Sequence, residues 1–139
     1  MLAATAAAEA RAFGTTPDAV SGMDRWLERT GKRWSIDERM AFRARVCISE
    51  LAANVLEHGH IATGVGRIRI ELRHKPPILE IEMSDPGEPF DPTMAPPDAD
   101  RDRIGGRGLR LVHSYAHKLS YRRARDRNIV TLEFTLPSP

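Results

Sequence analysis

The 139-residue chain reads as an α+β protein, a two-layer sandwich in which helices cover one face of a mixed or antiparallel sheet. Three observations predict this. The hydrophobic period changes near residue 60, from a helical repeat to the two-residue alternation of strands. The strands then arrive as two hairpins around short turns. The regular strand–helix–strand alternation of a parallel dinucleotide-binding sheet is missing.

Residues 1–17 are alanine-rich and weakly amphipathic, with no clear β pattern, and are expected to be a peripheral arm. Residues 18–139 form the domain. Val20, Met23 and Leu27 recur at spacings of three and four, which predicts a helix over 18–30 stopped by Gly31. Ser35-Ile-Asp-Glu38 is a capping-box signature, with Ser35 as N-cap. The helix it opens runs to Glu57 on a stripe of Met40, Ala44, Cys47, Leu51 and Val55, and Gly59 ends it. Ile68, Ile70 and Leu72, then Leu79, Ile81 and Met83, alternate with charged residues around Lys75-Pro-Pro77 and predict a hairpin. Residues 85–105 carry five prolines, which exclude a helix interior or a central strand. Gly105-Gly-Arg-Gly108 opens a helix over about 109–117. A strand then begins at 119–121, residues 122–128 make a basic turn, and 129–136 form the last strand, with Val130, Leu132, Phe134 and Leu136 on one face.

Composition narrows the class further. Lys+Arg is 21 and Asp+Glu is 19, a formal net charge of +2, so bulk charge makes no case for nucleic acid. The single cysteine, Cys47, excludes an internal disulfide framework and a CxxC motif, and its place in an apolar stripe makes it a core residue. No apolar run approaches the roughly 20 residues a spanning helix needs. The start lacks a secretory signal pattern. The expectation is a reduced, cytoplasmic protein that meets neither membrane nor nucleic acid directly.

Three clusters carry polar chemistry. Glu50, Asn54 and His58 stand at i, i+4, i+8 and share a helix face. A carboxylate and an amide there suit magnesium, which prefers oxygen ligands; the polar edge of an ordinary surface helix has the same spacing. Asp85-Pro-Gly87 follows a strand. Its carboxylate can accept from a base amine while Gly87 admits close approach, though a simple Asx turn reads alike. Gly105-Gly-Arg-Gly108 enters a helix, where small residues and free N–H groups attract phosphate, but it matches neither the P-loop nor GxGxxG. His58 and His60 make a poor metal pair, and the arginine-rich 122–127 segment reads as a solvated hairpin tip.

Together the clusters resemble one family. Glu50-Leu-Ala-Ala-Asn54-Val-Leu-Glu-His58 looks like the N box of the GHKL, or Bergerat-fold, ATP-binding proteins. Asp85-Pro-Gly87-Glu-Pro-Phe-Asp-Pro92 looks like their adenine-reading box, and Gly105-Gly-Arg-Gly-Leu-Arg-Leu-Val112 like the glycine box at the ATP lid. The match is nearest to the small anti-sigma-factor serine/threonine kinases of partner switching and covers roughly 18–136. The resemblance implies ATP and Mg2+ as ligands. Asn54 would help hold Mg2+, Glu50 would be the general base toward a serine or threonine hydroxyl, and Asp85 would bond the adenine amine beside Gly87. Gly105, Gly106, Arg107, Gly108 and Leu109 would cradle phosphate, residues 90–104 would be the lid, and Thr131 would add a contact near the base. The implied partners are a small anti-sigma-factor antagonist as phosphorylation substrate, a sigma factor, and a second copy in a homodimer.

The chain departs from the family pattern in three places. The first strand of the family has no visible counterpart, Asn128 stands where a Gly-Thr pair is common, and Arg107 is a large residue in the glycine box. The sequence as given holds no phosphotransfer helix or sensor region, so a full sensor kinase is not expected. A non-catalytic ATP-binding switch that regulates by association is the alternative function.

Overall fold

The first expectation to change is the N-terminal arm. The computed structural model describes residues 6–94 and 104–135, without the side chains of 104–107, and within it Ala7–Gly14 is a strand, β1. The element order continues α1 (Ala19–Arg33), α2 (Glu38–His58), β2 (Arg67–Lys75), β3 (Ile78–Asp85), α3 (Ile104–Tyr115), β4 (Lys118–Ala124) and β5 (Arg127–Thr135). The strands form one sheet ordered β1-β2-β3-β5-β4, and every neighbouring pair is antiparallel. The α+β sandwich stands, with the sheet antiparallel rather than mixed.

Alanine is a poor strand residue, which is why β1 is invisible in the pattern. Tertiary contacts override propensity here. All eight residues of β1 pair with β2, from Ala7 opposite His74 to Gly14 opposite Arg67. Phe13 is buried and meets Trp26 of α1 edge to face at 5.6 Å. Glu9 accepts from Trp26 Nε1 at 3.2 Å and pairs with Arg33. The segment expected as a peripheral arm is therefore a paired strand at the sheet edge.

Capping residues also differ from the sequence reading. Helix α1 runs through Gly31, which is buried against Ala41, and stops where Ser35 turns left-handed (φ 53°). The Ile36 N–H returns to Gly31 O at 2.9 Å and the Ser35 N–H to Lys32 O at 3.1 Å, a Schellman-type ending. Ser35 is thus consumed by the end of α1, and Asp37 caps α2 instead, its side chain accepting from Met40 N at 3.0 Å. The basic turn shrinks to Arg125-Asp126, both at positive φ, as a two-residue hairpin requires, and its neighbours join β4 and β5.

The core lies between sheet and helices. Met23, Trp26 and Leu27 of α1, Cys47, Ile48 and Leu51 of α2, and Leu109 and Val112 of α3 pack onto the inward columns of the strands. Those columns are Ile68, Ile70 and Leu72 on β2, Leu79, Ile81 and Met83 on β3, and Val130, Leu132 and Phe134 on β5. No helix among the described residues is long and apolar enough to cross a membrane.

Candidate functional site

The two central columns change chemistry at one end. After Met83 the next inward position of β3 is Asp85, and before Val130 the inward position of β5 is Asn128; the two are direct partners in the ladder. Asp85 is 2% exposed, and a carboxylate that enclosed needs hydrogen bonds. Its Oδ1 accepts from Gly87 N at 2.8 Å and Asn128 Nδ2 at 3.1 Å. Among the described residues, none donates to Oδ2. Asn128 also donates to Glu88 O at 2.8 Å and accepts from Phe90 N at 3.1 Å, so it holds the turn after Asp85 and the segment leaving it. On the outer flank of that turn Arg123 donates to Gly87 O at 2.7 Å and His60 pairs with Glu88 at 2.8 Å. A cavity of about 370 Å³ opens on this flank, and neither Asp85 nor Asn54 lines it.

The same turn docks on the end of α2 through two glycines. A Cβ on Gly87 would stand 3.2 Å from Gly59 Cα and 2.9 Å from Asp85 Oδ1; one on Gly59 would stand 2.5 Å from Val55 O. The Glu88 N–H closes the contact on Gly59 O at 3.0 Å. Upstream on α2 lies Asn54, 8% exposed, with its Nδ2 fully enclosed and without a hydrogen-bond partner among the described residues. Leaving such a donor unpaired costs about 1–3 kcal/mol, and buried side-chain amides are ordinarily paired. One turn further back, Glu50 meets α3. A Cβ on Gly108 would fall 2.2 Å from Glu50 Oε2 and 3.3 Å from Glu50 Cβ. From Glu50 to Gly59 the helix rises about 14 Å at about 1.5 Å per residue. Helix α2 thus joins the Asp85 turn at one end to the glycine-box helix at the other, with Asn54 between.

The structure accordingly brings Glu50, Asn54, Asp85, Gly87 and Gly108 around α2, with Leu109 buried behind them. Gly105, Gly106 and Arg107 lie in the first turn of α3 rather than before it, since that helix starts at Ile104 instead of about Leu109. The first four N–H groups of a helix have no partner within it, so residues 104–107, three of them in the glycine box, carry such donors. Most of the expected lid, residues 95–103, lies outside the described residues, as do Leu136 and the first five residues. Thr131 is not at the site: it alternates with the inward Val130 and Leu132 and pairs with Glu82 and Ser120 on the sheet's outer face. His58 is also apart, exposed beside Glu57. Cys47 is fully enclosed, and burial, with the Glu50 charge adding, pushes its thiol up to about 12, which leaves it a core residue.

Three residues at the site escape a reading by motif. Asn128 is visible in the sequence only as a departure from a familiar pair; its hydrogen bonds depend on strand register. Tyr121 donates to Asn128 Oδ1 at 2.7 Å. His113 Nε2 lies 2.7 Å from Pro92 O and fastens α3 to the segment after Asp85. No spacing rule links positions 38 or 21 residues apart.

Magnesium and ATP can be tested against these donors. The described residues contain no cluster of three or more His, Cys, Asp or Glu that would cage a metal. Magnesium commonly takes one or two protein oxygens and completes its shell with phosphates and water, and Asn54 Oδ1 suits that sparse set, while the unpartnered Nδ2 is a donor that suits an anionic oxygen rather than the cation. Asp85 Oδ2 fits a base carrying an amine.

The chain is similar to known proteins. The family model for the histidine kinase-like ATPase domain matches residues 13–134. The chain is 33% identical over 112 residues to a protein named serine/threonine-protein kinase BtrW from Bordetella bronchiseptica, covering 77% of this chain and 79% of that one. The crystal structure of the RsbU and RsbW domains of Rv1364c from Mycobacterium tuberculosis superposes on 96% of this chain with a TM-score of 0.71 at 16% identity; the chain spans 33% of that one, and the likeness is one of fold. With most of its length matched and its Asp85, Asn54 and glycine-box elements assembled around one helix, the chain belongs to the histidine kinase-like ATPase domain family.

Proposed function

We propose that the protein is an ATP-dependent serine/threonine kinase and anti-sigma regulatory factor that phosphorylates a small antagonist protein in partner switching. The observation that carries the reading is Asn54, whose buried Nδ2 donor lacks the acceptor that a phosphate oxygen would supply, on the helix that also presents Glu50 and meets the Asp85 turn. The name of the 33% identical relative supports the kinase assignment. In this reading Asp85 Oδ2 accepts from the base amine, Gly87 gives the base room, and the N–H groups of the first turn of α3 face the phosphates. Asn54 would hold Mg2+ against the phosphate oxygens, and the ion supplies charge neutralisation there.

Glu50 accepts the proton of the substrate hydroxyl. The hydroxyl oxygen forms a bond to the γ-phosphorus as the bridging bond to the β-phosphate breaks, which leaves a phosphoserine or phosphothreonine and ADP. Positioning and electrostatics supply most of the catalysis in such transfers. The acceptor, a sigma factor, a second copy of the chain and a cytoplasmic location belong to the same proposal.

The test is calorimetry with Mg-ATP joined to a phosphotransfer assay on the antagonist protein. Asn54→Ala loses Mg-ATP binding by 100-fold or more, and Asp85→Asn weakens it. Glu50→Ala binds ATP as the wild type does and loses transfer. Unchanged affinity in both binding variants overturns the nucleotide site. Tight ATP binding with no transfer to any candidate acceptor would make the protein a binding switch that acts by association.

A further inference from the structure

Asp85 is held by a chain of hydrogen bonds that begins on the outermost strand. Tyr121 of β4 and the backbone N–H of Phe90 both approach Asn128 Oδ1, at 2.7 and 3.1 Å. The Phe90 N–H can only donate, so the atom it meets is the amide oxygen. The amide nitrogen must then face Asp85 Oδ1, Glu88 O and Gly87 O, at 3.1, 2.8 and 3.3 Å, and all three are acceptors. The orientation of the amide is over-determined by its surroundings, which fixes what each neighbour can be. Asp85 Oδ1 receives two N–H groups, one from Gly87 and one from Asn128, and has no capacity left for a base. Oδ2 remains, and it too is an acceptor.

A purine with an amino group at C6 satisfies that atom. A purine with a carbonyl at C6 sets oxygen against Oδ2 unless the base shifts to present its N1–H, and Asp85, 2% exposed and fixed by Gly87 and Asn128, cannot move to follow that shift. Sites built around a buried hydrogen bond reject analogues that lack the matching group far more strongly than apolar pockets do.

We propose that Tyr121 and Asn128 are positioning residues for base selectivity: they lock Asp85 as a pure acceptor, so that the site takes 6-aminopurine nucleotides and refuses 6-oxopurine nucleotides. The inference rests on Asp85 reading the base, as proposed above. Neither residue touches the nucleotide in this scheme; Tyr121 acts through Asn128, and Asn128 through Asp85. Tyr121 is half-buried, and its ring also packs against the core, so loss of its hydroxyl alone leaves the packing in place.

The experiment measures the affinities of Mg-ATP and Mg-ITP, which differ in the C6 group and in the proton that N1 carries beside a C6 carbonyl, for the full chain and its variants. Wild type prefers ATP by about 100-fold or more. Asn128→Ala lowers ATP affinity about tenfold and brings the preference below about tenfold. Tyr121→Phe lowers the preference about fivefold, and that effect disappears in the Asn128→Ala background because the relay is already cut. A purely structural role would reduce both nucleotides alike and leave their ratio fixed. Circular dichroism and thermal unfolding establish that each variant is folded; should Asn128→Ala not fold, Tyr121→Phe decides by itself. A folded Asn128→Ala or Tyr121→Phe that keeps the full ATP preference overturns the inference and leaves the nucleotide site standing. Wild type that binds neither nucleotide overturns the site and the inference together.

Discussion

Gly108 sits on the buried side of α3, where a methyl group would meet Glu50 Oε2 at 2.2 Å and Glu50 Cδ at 3.1 Å. A helix interior ordinarily gains about 0.5–1 kcal/mol when glycine becomes alanine. At this position the gain in helix propensity opposes the displacement of one carboxylate. Gly108→Ala therefore unfolds at or near the wild-type temperature and binds Mg-ATP within a few-fold, yet transfers phosphate at least tenfold more slowly. Thermal unfolding and the phosphotransfer rate, measured on one preparation, check this. Wild-type transfer would mean that Glu50 does not work from the place it occupies here. Asp85 and Asn54 illustrate the same logic from the other side: a buried polar group is tolerated because a partner exists or is expected, and for Asn54 Nδ2 none exists among the described residues.

At the scale of elements, the β1–β2 edge is held partly by the ring of His74. It is 8% exposed, and stacks on Trp34 with centroids 6.3 Å apart and planes 3° from parallel. Burial lowers its pKa below the ordinary 6.5, because the charged ring is excluded from water. The sign follows from linkage. Below 6.5 the unfolded chain binds this proton more readily than the folded one, so stability is fully present above that pH and is lost as pH falls through the lower folded value. His74→Phe keeps a ring to stack and removes the titration. Its melting temperature falls less between pH 7 and pH 5 than that of the wild type, and equal slopes would release His74 from this role. Asp24 is also lowered, chiefly by its hydrogen bond from Arg45, but its loss of stability lies at lower pH, below the ordinary 3.8, and does not enter that comparison.

At the scale of the whole molecule, the Asp85 turn and α3 come from separated stretches of chain and both pack on α2, beside the proposed nucleotide site. A ligand that contacts all three stabilises the folded state by mass action, about 2.7 kcal/mol at a free concentration one hundred times Kd. For a chain of 139 residues that raises the melting temperature by roughly 8 °C. The rise is expected with Mg-ATP, and it vanishes in Asn54→Ala. A scan of nucleotides by thermal shift checks it, and a wild-type protein whose melting is indifferent to Mg-ATP would contradict the proposed site.

The sequence by itself determined what is local. Helical and two-residue periods located α1, α2 and both hairpins, and motif spacing put Glu50 and Asn54 on one helix and Asp85 at a strand end, because these patterns repeat over a few residues. Tertiary structure decided what depends on distant partners. It made an edge strand of the alanine-rich β1, because the ladder to β2 and the Phe13–Trp26 contact outweigh weak strand propensity. It moved the cap of α2 from Ser35 to Asp37, because the end of α1 had already claimed Ser35. It turned Thr131 outward and Asn128 inward, because side chains alternate along a strand and only the register with β3 says which of them meets Asp85.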